Sequence, residues 1–412
     1  MRVLFLQAKK TIALIPETPW YSSLFCPTAL SFQVNQNYRL SLPPEVNALS
    51  LALRTQKVKP LARKYAEKVL DICRRERISL IYPSCDDFVL FFSLFKKLFE
   101  REKIEVAVGD FSLLCELMDK LRSIELASQA GLDVPLTCLA SEVNWQQFPA
   151  LIKPRFGCAG EGQDLILSPK SLGIWRKNNR NLGDFVLQEF IPGNRIIYLR
   201  FYMDTQGRLC AVSCAENQRP LLKLHQTRAL LLHSIPLPKS IIARAKTMLS
   251  RLGYSGYCHI QLKVDQFSQI EKVMEVNTRI SRGTWSERSR VFNPVQLSRA
   301  LINGDVRGQE SFRRGDKIGT LYLWPLQDFM VLVFLFFQWL LKLVERLLGI
   351  KAAGENLPGL RSMARHYRET YLNLKPKRVD NYSRCLWLDP FPALFYGIFF
   401  FINNFFKSNQ NQ

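Results

Sequence analysis

From the first residue to about residue 112, short apolar runs alternate with longer stretches of helical period. "RVLFL" reads as a strand and "PLARKYAEKVLDICRRERI" as an amphipathic helix. "SLIYPS" is a second strand, "DDFVLFFSLFKKLFERE" a second helix, and "IEVAVG" a third strand. Such alternation predicts a parallel sheet covered by helices, a Rossmann-like α/β layout. Residues 113–130, "LLCELMDKLRSIELASQA", form a further helix, with Gly131 as its stop.

From about residue 148 the period shortens and hairpins follow one another. "ALIKPRFGCAGEGQDLIL" is strand, glycine-rich loop, strand, and "DFVLQEFIPG" is a strand ending in a turn. "RFYMDTQGRLCAVSCAE" is a hairpin about Gln206-Gly207. A helix over 239–252 precedes a last hairpin, "YCHIQLKVDQFSQIEKVMEVNTR", with its turn at 266–270.

After about residue 320 the pattern changes again. "FMVLVFLFFQWLL" holds 13 uncharged residues and "PFPALFYGIFFFINNFF" holds 17. Both fall short of the ~20 that a spanning helix needs. Gln338, Lys342, Glu345 and Arg346 draw a polar stripe on the first. Between the runs, residues 351–384 carry eight Lys or Arg against three Asp or Glu. This favours a tail lying on the anionic cytoplasmic face of a membrane; spanning, or a buried helical cap, are the alternatives.

Composition narrows the class. Hydrophobic residues make up 47% of 412, enough for a large core. A formal net charge of +22 points to an anionic partner: nucleotide, nucleic acid or lipid. No helix-turn-helix, RRM or zinc-finger pattern supports nucleic acid. The ten cysteines are scattered without a CxxC pair, and the opening apolar run is too short for a signal peptide. Reduced thiols are therefore expected.

Candidate chemistry gathers on the last hairpin. In "KVMEVNTRISRG", Glu275, Asn277 and Arg279 share one strand face by alternation. The turn position sets Gln261 near Glu275 and His259 near Asn277, with Lys263 on the same face. One carboxylate and two amide oxygens are hard ligands suited to Mg²⁺, and an adjacent arginine suits a phosphate or carboxylate. Taken alone, the pattern favours a solvated polar sheet face. "KPRFGCAGEG" joins Lys153 to Gly157, Gly160 and Gly162, which let backbone N–H groups approach phosphate; an ordinary hairpin turn is the alternative. "VLQEFIPG" offers the backbone of Glu189 to Ile191 as an edge for an adenine, or is a plain edge strand.

In this order the segments resemble the ATP-grasp superfamily, in its branch like the carbamoyl-phosphate synthase large subunit and its carboxylate–amine ligase relatives. "MDKLRSIELASQAGLDVPLT", "LIKPRFGCAGEG", "LQEFIPG", "GYSGYCHIQLKVD" and "MEVNTRISRG" carry the likeness, over residues 1 to about 310. It implies a pre-ATP-grasp domain over 1–112 and an ATP-grasp domain over 113–320, its small lobe at about 113–187 and its large lobe at about 188–320. A tail over 321–412 follows. It further implies ATP with Mg²⁺ (or Mn²⁺) as cofactors. Lys120 and Lys153 would meet the phosphates beneath the Gly157–Gly162 loop, and Glu189 and Ile191 would bind adenine through their backbone. Gln261, Glu275 and Asn277 would hold the metal, and Arg279, with Arg219, would contact the moving phosphate. Relatives place an acid after the hinge turn to hold ribose; here Asn194 and Arg195 stand there. The implied reaction activates a carboxylate as an acyl phosphate and joins it to an amine. The missing acid also admits a weakly catalytic, ATP-binding regulatory protein of a membrane complex.

Overall fold

The computed structural model describes residues 3–7, 10–15, 36–39, 42–78, 80–83, 85–106, 108–157, 162–203, 206–217, 232–235, 238–279, 321–322 and 340. Three sheets organise them. The first has the order β3-β2-β1-β4-β5, from Val3–Gln7 (β1), Lys10–Ile15 (β2), Gln36–Arg39 (β3), Leu80–Pro83 (β4) and Glu105–Val106 (β5). The three expected strands are present, but the sheet is mixed where a parallel one was expected. β1 runs antiparallel to both β2 and β4, while β2–β3 and β4–β5 are parallel. Only Ala8 and Lys9 separate β1 from β2, and so short a connection makes that pair an antiparallel hairpin.

The helices are more segmented than their periodicity predicts. Ala48–Leu53 (α1) is capped by Asn47, whose side chain accepts from the Ser50 N–H. Thr55–Glu76 (α2) starts before the expected Pro60 and ends on Arg77 at φ 52°. The expected helix over 86–102 breaks at Phe95 into Asp86–Leu94 (α3) and Lys96–Glu100 (α4). The expected helix over 113–130 breaks at Asp119 into Phe111–Met118 (α5) and Lys120–Gln129 (α6). Gly131, at φ +78°, ends α6 as expected, with Leu132 N–H returning to Ala127 O at 3.0 Å.

The remaining strands form two lobes. Thr137–Leu139 (β6), Ala150–Pro154 (β7), Asp164–Ile166 (β8) and Phe185–Glu189 (β9) make an antiparallel sheet of order β6-β9-β7-β8. Its own small core joins Trp145, Ile152, Ile166 and Leu187 to Leu172 of helix Pro169–Asn178 (α7). The larger sheet has the order β14-β13-β10-β11-β12-β15. These strands are Ile196–Met203 (β10), Leu209–Asn217 (β11), Leu232–Ser234 (β12), Gly256–Val264 (β13), Glu271–Asn277 (β14) and Leu321–Tyr322 (β15). Helix Lys239–Arg251 (α8) contributes Ala245, Met248 and Leu249 to the core that joins this sheet to α2–α6.

Residues 323–412, apart from Leu340, lie outside the described residues, and so do the expected tail helices. Among the described residues no helix is long and apolar enough to cross a membrane.

Candidate functional site

The site is one face of the larger sheet. Every residue of β10 is buried, and alternation divides it. Ile197, Leu199, Phe201 and Met203 enter the core; Tyr198 and Arg200 take the other face. On β13 the core takes Cys258, Ile260, Leu262 and Val264, leaving His259, Gln261 and Lys263 beside Tyr198 and Arg200. Gln261 pairs with Glu275 and His259 with Asn277, as the hairpin centre predicts.

One irregularity makes this face possible. Leu262 pairs with Val273, so Met274 is an extra residue on β14. Strict alternation would put Val273 on the same side as Glu275. The bulge lets Val273 and Val276 both enter the core while Glu275 and Asn277 face the site.

Lys153 meets the influence of this carboxylate from the small lobe. Lys153 on β7 is 4% exposed and donates to Gln188 Oε1 at 2.6 Å. Gln188, itself buried, donates through Nε2 to Thr137 Oγ1 at 3.0 Å, which fixes its amide. Burial pushes the Lys153 ammonium down to about 7; Glu275 opposes this, and Lys120 and Lys263 add to it. Lys153 therefore feels Glu275 and two further lysines across the cleft. Burial also lowers Lys263, to about 8, and its ammonium lies 4.9 Å from the Phe190 ring centre.

The break at Asp119 explains how Lys120 arrives. Asp119 caps α6 by accepting from Leu121 N–H at 3.0 Å, and its carboxylate also receives Arg155, with Nε 3.1 Å from Oδ2. Lys120 is the first residue of α6; its N–H donates to Arg155 O at 3.0 Å and its ammonium to Gly157 O at 2.9 Å. The Asp-Lys pair thus ties the helix start to the root of the glycine loop. Gly157 (φ +118°) and Gly162 (φ +67°) border that loop, and a Cβ on Gly162 would stand 2.9 Å from Pro154 Cγ. Gly160 lies outside the described residues, as does Arg219.

At the hinge, the N–H of Glu189 donates to Leu136 O at 2.8 Å. Its carboxylate accepts from Lys272 at 2.7 Å and from Leu136 N–H at 3.0 Å. Ile191 is fully buried beside it. Past the turn, Arg195 reaches Glu216 with both fork arms, Nε to Oε1 and Nη2 to Oε2, each at 3.0 Å. This arginine is committed to a protein carboxylate.

Arg279 lies two residues past the end of β14. Its Nε donates to Asp86 Oδ1 at 2.7 Å, in the first turn of α3. The sequence pattern singles out none of Asp86, Gln188 and Arg200, which the fold brings near this face. A lone charge in the eight-residue strand "IIYLRFYM" was the available signal for Arg200. Asp86 and Gln188 gave none, since their roles depend on partners distant in sequence.

The donor set suits a divalent cation of modest protein ligation. Among the described residues no group of three or more His, Cys, Asp or Glu could hold a metal. One carboxylate with two amides is the alternative set, and it fits an ion that takes its other ligands from phosphate and water. Asn277 Nδ2 donates to Glu275 Oε1 at 3.0 Å, which turns the Asn277 carbonyl oxygen away from that carboxylate.

Residues 118–285 match the family model described as the carbamoyl-phosphate synthase L chain, ATP binding domain. The fold is similar to the biotin carboxylase domain of Hydrogenobacter thermophilus 2-oxoglutarate carboxylase, crystallised with MgADP, ADP and bicarbonate. Identity is 18%, over 72% of this chain and 64% of that one, with a TM-score of 0.54. It is also similar to Rhizobium etli pyruvate carboxylase, at 17% identity over 73% of this chain and 28% of that one, TM-score 0.53. Campylobacter jejuni biotin carboxylase gives 15% identity over 71% and 65%, TM-score 0.53. The chain spans just under two thirds of the biotin carboxylase chains it matches. The ATP-grasp resemblance read from the sequence holds, and the fold is an ATP-grasp fold.

Proposed function

We propose that the chain is an ATP- and Mg²⁺-dependent ligase that activates a carboxylate as an acyl phosphate and joins it to an amine or similar nucleophile. The observation that carries this reading is the cluster about buried Lys153, where Glu275, Lys120 and Lys263 all act on its ammonium, with Gln261 and Asn277 in register beside Glu275. Lys153 and Lys263, buried and of lowered basicity, gain most from a polyanionic ligand, and a single carboxylate cannot neutralise the cluster.

In this reading Lys120 and Lys153 hold the phosphates, and the Gly157–Gly162 loop covers them. Glu189 and Ile191 border the adenine, with the Glu189 N–H already taken by Leu136. Gln261, Glu275 and Asn277 hold Mg²⁺, which when bound neutralises charge on the transferring phosphoryl group. Arg279 contacts the γ-phosphate or the acyl phosphate, and Arg219 is a candidate for the same task. In the reaction, a carboxylate oxygen attacks the γ-phosphorus, the bond to the β-phosphate oxygen breaks, and ADP leaves. The amine then attacks the acyl carbon, loses a proton and expels phosphate.

The domain limits of 1–112, 113–320 and 321–412, and a tail lying on the cytoplasmic membrane face, belong to the same proposal. They rest on the sequence pattern. ADP release that requires both a carboxylate and an amine supports the reading. Undiminished release by the Glu275→Ala, Asn277→Ala double variant overturns it.

A further inference from the structure

We infer that His259 and Arg200 form an anion-binding subsite beside the metal edge, built to hold the carboxylate that is to be phosphorylated. The inference rests on the ligase reading above and extends it to two residues outside the nucleotide site.

The sheet register carries it. Asn277 pairs with His259, His259 with Arg200, and Arg200 with Ser213. One cross-strand row therefore runs from the metal edge on β14 to β11, and all its members are polar. All four are buried, Arg200 at 1% exposure and His259 at 4%. Buried sheet faces are ordinarily apolar, and on the core side of these strands they are.

The imidazole is the second observation. His259 Nε2 is buried and has no hydrogen-bond partner among the described residues. A buried polar nitrogen without a partner is destabilising unless a ligand or water meets it. Its electrostatic surroundings define that ligand. The charges that act on His259 are Arg200 and Arg279, both positive, with burial the larger influence. The Tyr198 ring lies 5.2 Å from the imidazole, tilted by 33°, and sets the ring's orientation. An imidazole facing the guanidinium of Arg200 across the strands matches a small planar anion, which accepts from both kinds of donor. Asn277 places that anion next to the ion that would neutralise the γ-phosphate. A carboxylate bound there stands where attack on that phosphate begins.

The test uses the full chain with Mg²⁺ and a non-hydrolysable ATP analogue, and [1-¹³C]acetate as the probe carboxylate. Acetate binding is followed by ¹³C line broadening and analogue binding by calorimetry. The wild type should bind acetate. His259→Ala and Arg200→Met should weaken it by about tenfold or more, with analogue affinity held within about twofold. Acetate binding that is absent in the wild type, or unchanged in the folded variants, overturns the subsite. If Arg200→Met does not fold, His259→Asn decides, and unchanged acetate affinity there also overturns it. If the wild type binds no analogue, the nucleotide reading fails by itself. Acetate titrated into the free protein then judges the subsite by the same comparison.

Discussion

Arg279 and Asp86 are 193 residues apart in sequence and 2.7 Å apart in space. The pair joins the chain just past β14 to the first turn of α3, which follows β4 of the amino-terminal sheet. Both side chains are largely buried, Arg279 at 17% and Asp86 at 9% exposure. The carboxylate at a helix start is also favoured by the helix dipole.

Asp86→Asn keeps the shape and removes the charge. It removes this ion pair from a largely buried Arg279, a loss of about 1–3 kcal/mol. Chemical denaturation should show that decrease. Stability equal to wild type would mean that the pair contributes nothing and that Arg279 is held by other means.

Lys153 should separate stability from function. Its ammonium is buried, and its charged form is disfavoured by burial. Lys153→Met should therefore leave the ligand-free melting temperature equal or higher, while nucleotide affinity falls by about tenfold or more. A variant that is both destabilised and normal in nucleotide affinity would remove Lys153 from the site.

The same lysine sets a pH dependence. Its folded value of about 7 lies below the ordinary 10.5. Between those values the unfolded chain binds the proton and the folded chain does not. Stability from this group thus rises with pH through that window and is lost below it. A bound polyphosphate favours the charged form, so nucleotide binding at pH 8 should take up a proton. Calorimetry in buffers of different ionisation enthalpy measures that uptake. Zero uptake would mean that Lys153 stays neutral beside the phosphates.

Much of the site was legible because strand alternation and a hairpin centre are short-range facts. They sufficed to place Gln261 opposite Glu275 and His259 opposite Asn277. What escaped was set by partners far along the chain. The bulge at Met274 arises because Val273 and Val276 both find core contacts, which no local period announces. Asp119 breaks a helix whose apolar period runs through it, because its side chain caps α6 and meets Arg155. The two-residue link between β1 and β2 makes that pair an antiparallel hairpin, and β1 also meets β4 antiparallel, where a parallel sheet was expected.

Gly193 closes the hinge turn at φ +113°, and a Cβ there would stand 3.0 Å from Val264 O. Gly193→Ala should lose about 1–3 kcal/mol from backbone strain and crowding. It should also misplace the adenine edge beside Ile191, weakening nucleotide binding. Urea denaturation with a parallel nucleotide titration checks both. An unaltered midpoint would show that the turn tolerates a side chain.

The central claim is that Gln261, Glu275 and Asn277 form the metal edge of a nucleotide site. Calorimetric titration of the wild type and of the Glu275→Ala, Asn277→Ala double variant with an ATP analogue, with and without Mg²⁺, tests it most directly. The account predicts wild-type binding that Mg²⁺ strengthens by about tenfold or more, and a folded double variant in which that strengthening is gone. Wild-type binding indifferent to Mg²⁺, or a double variant that keeps the full Mg²⁺ effect, would contradict it.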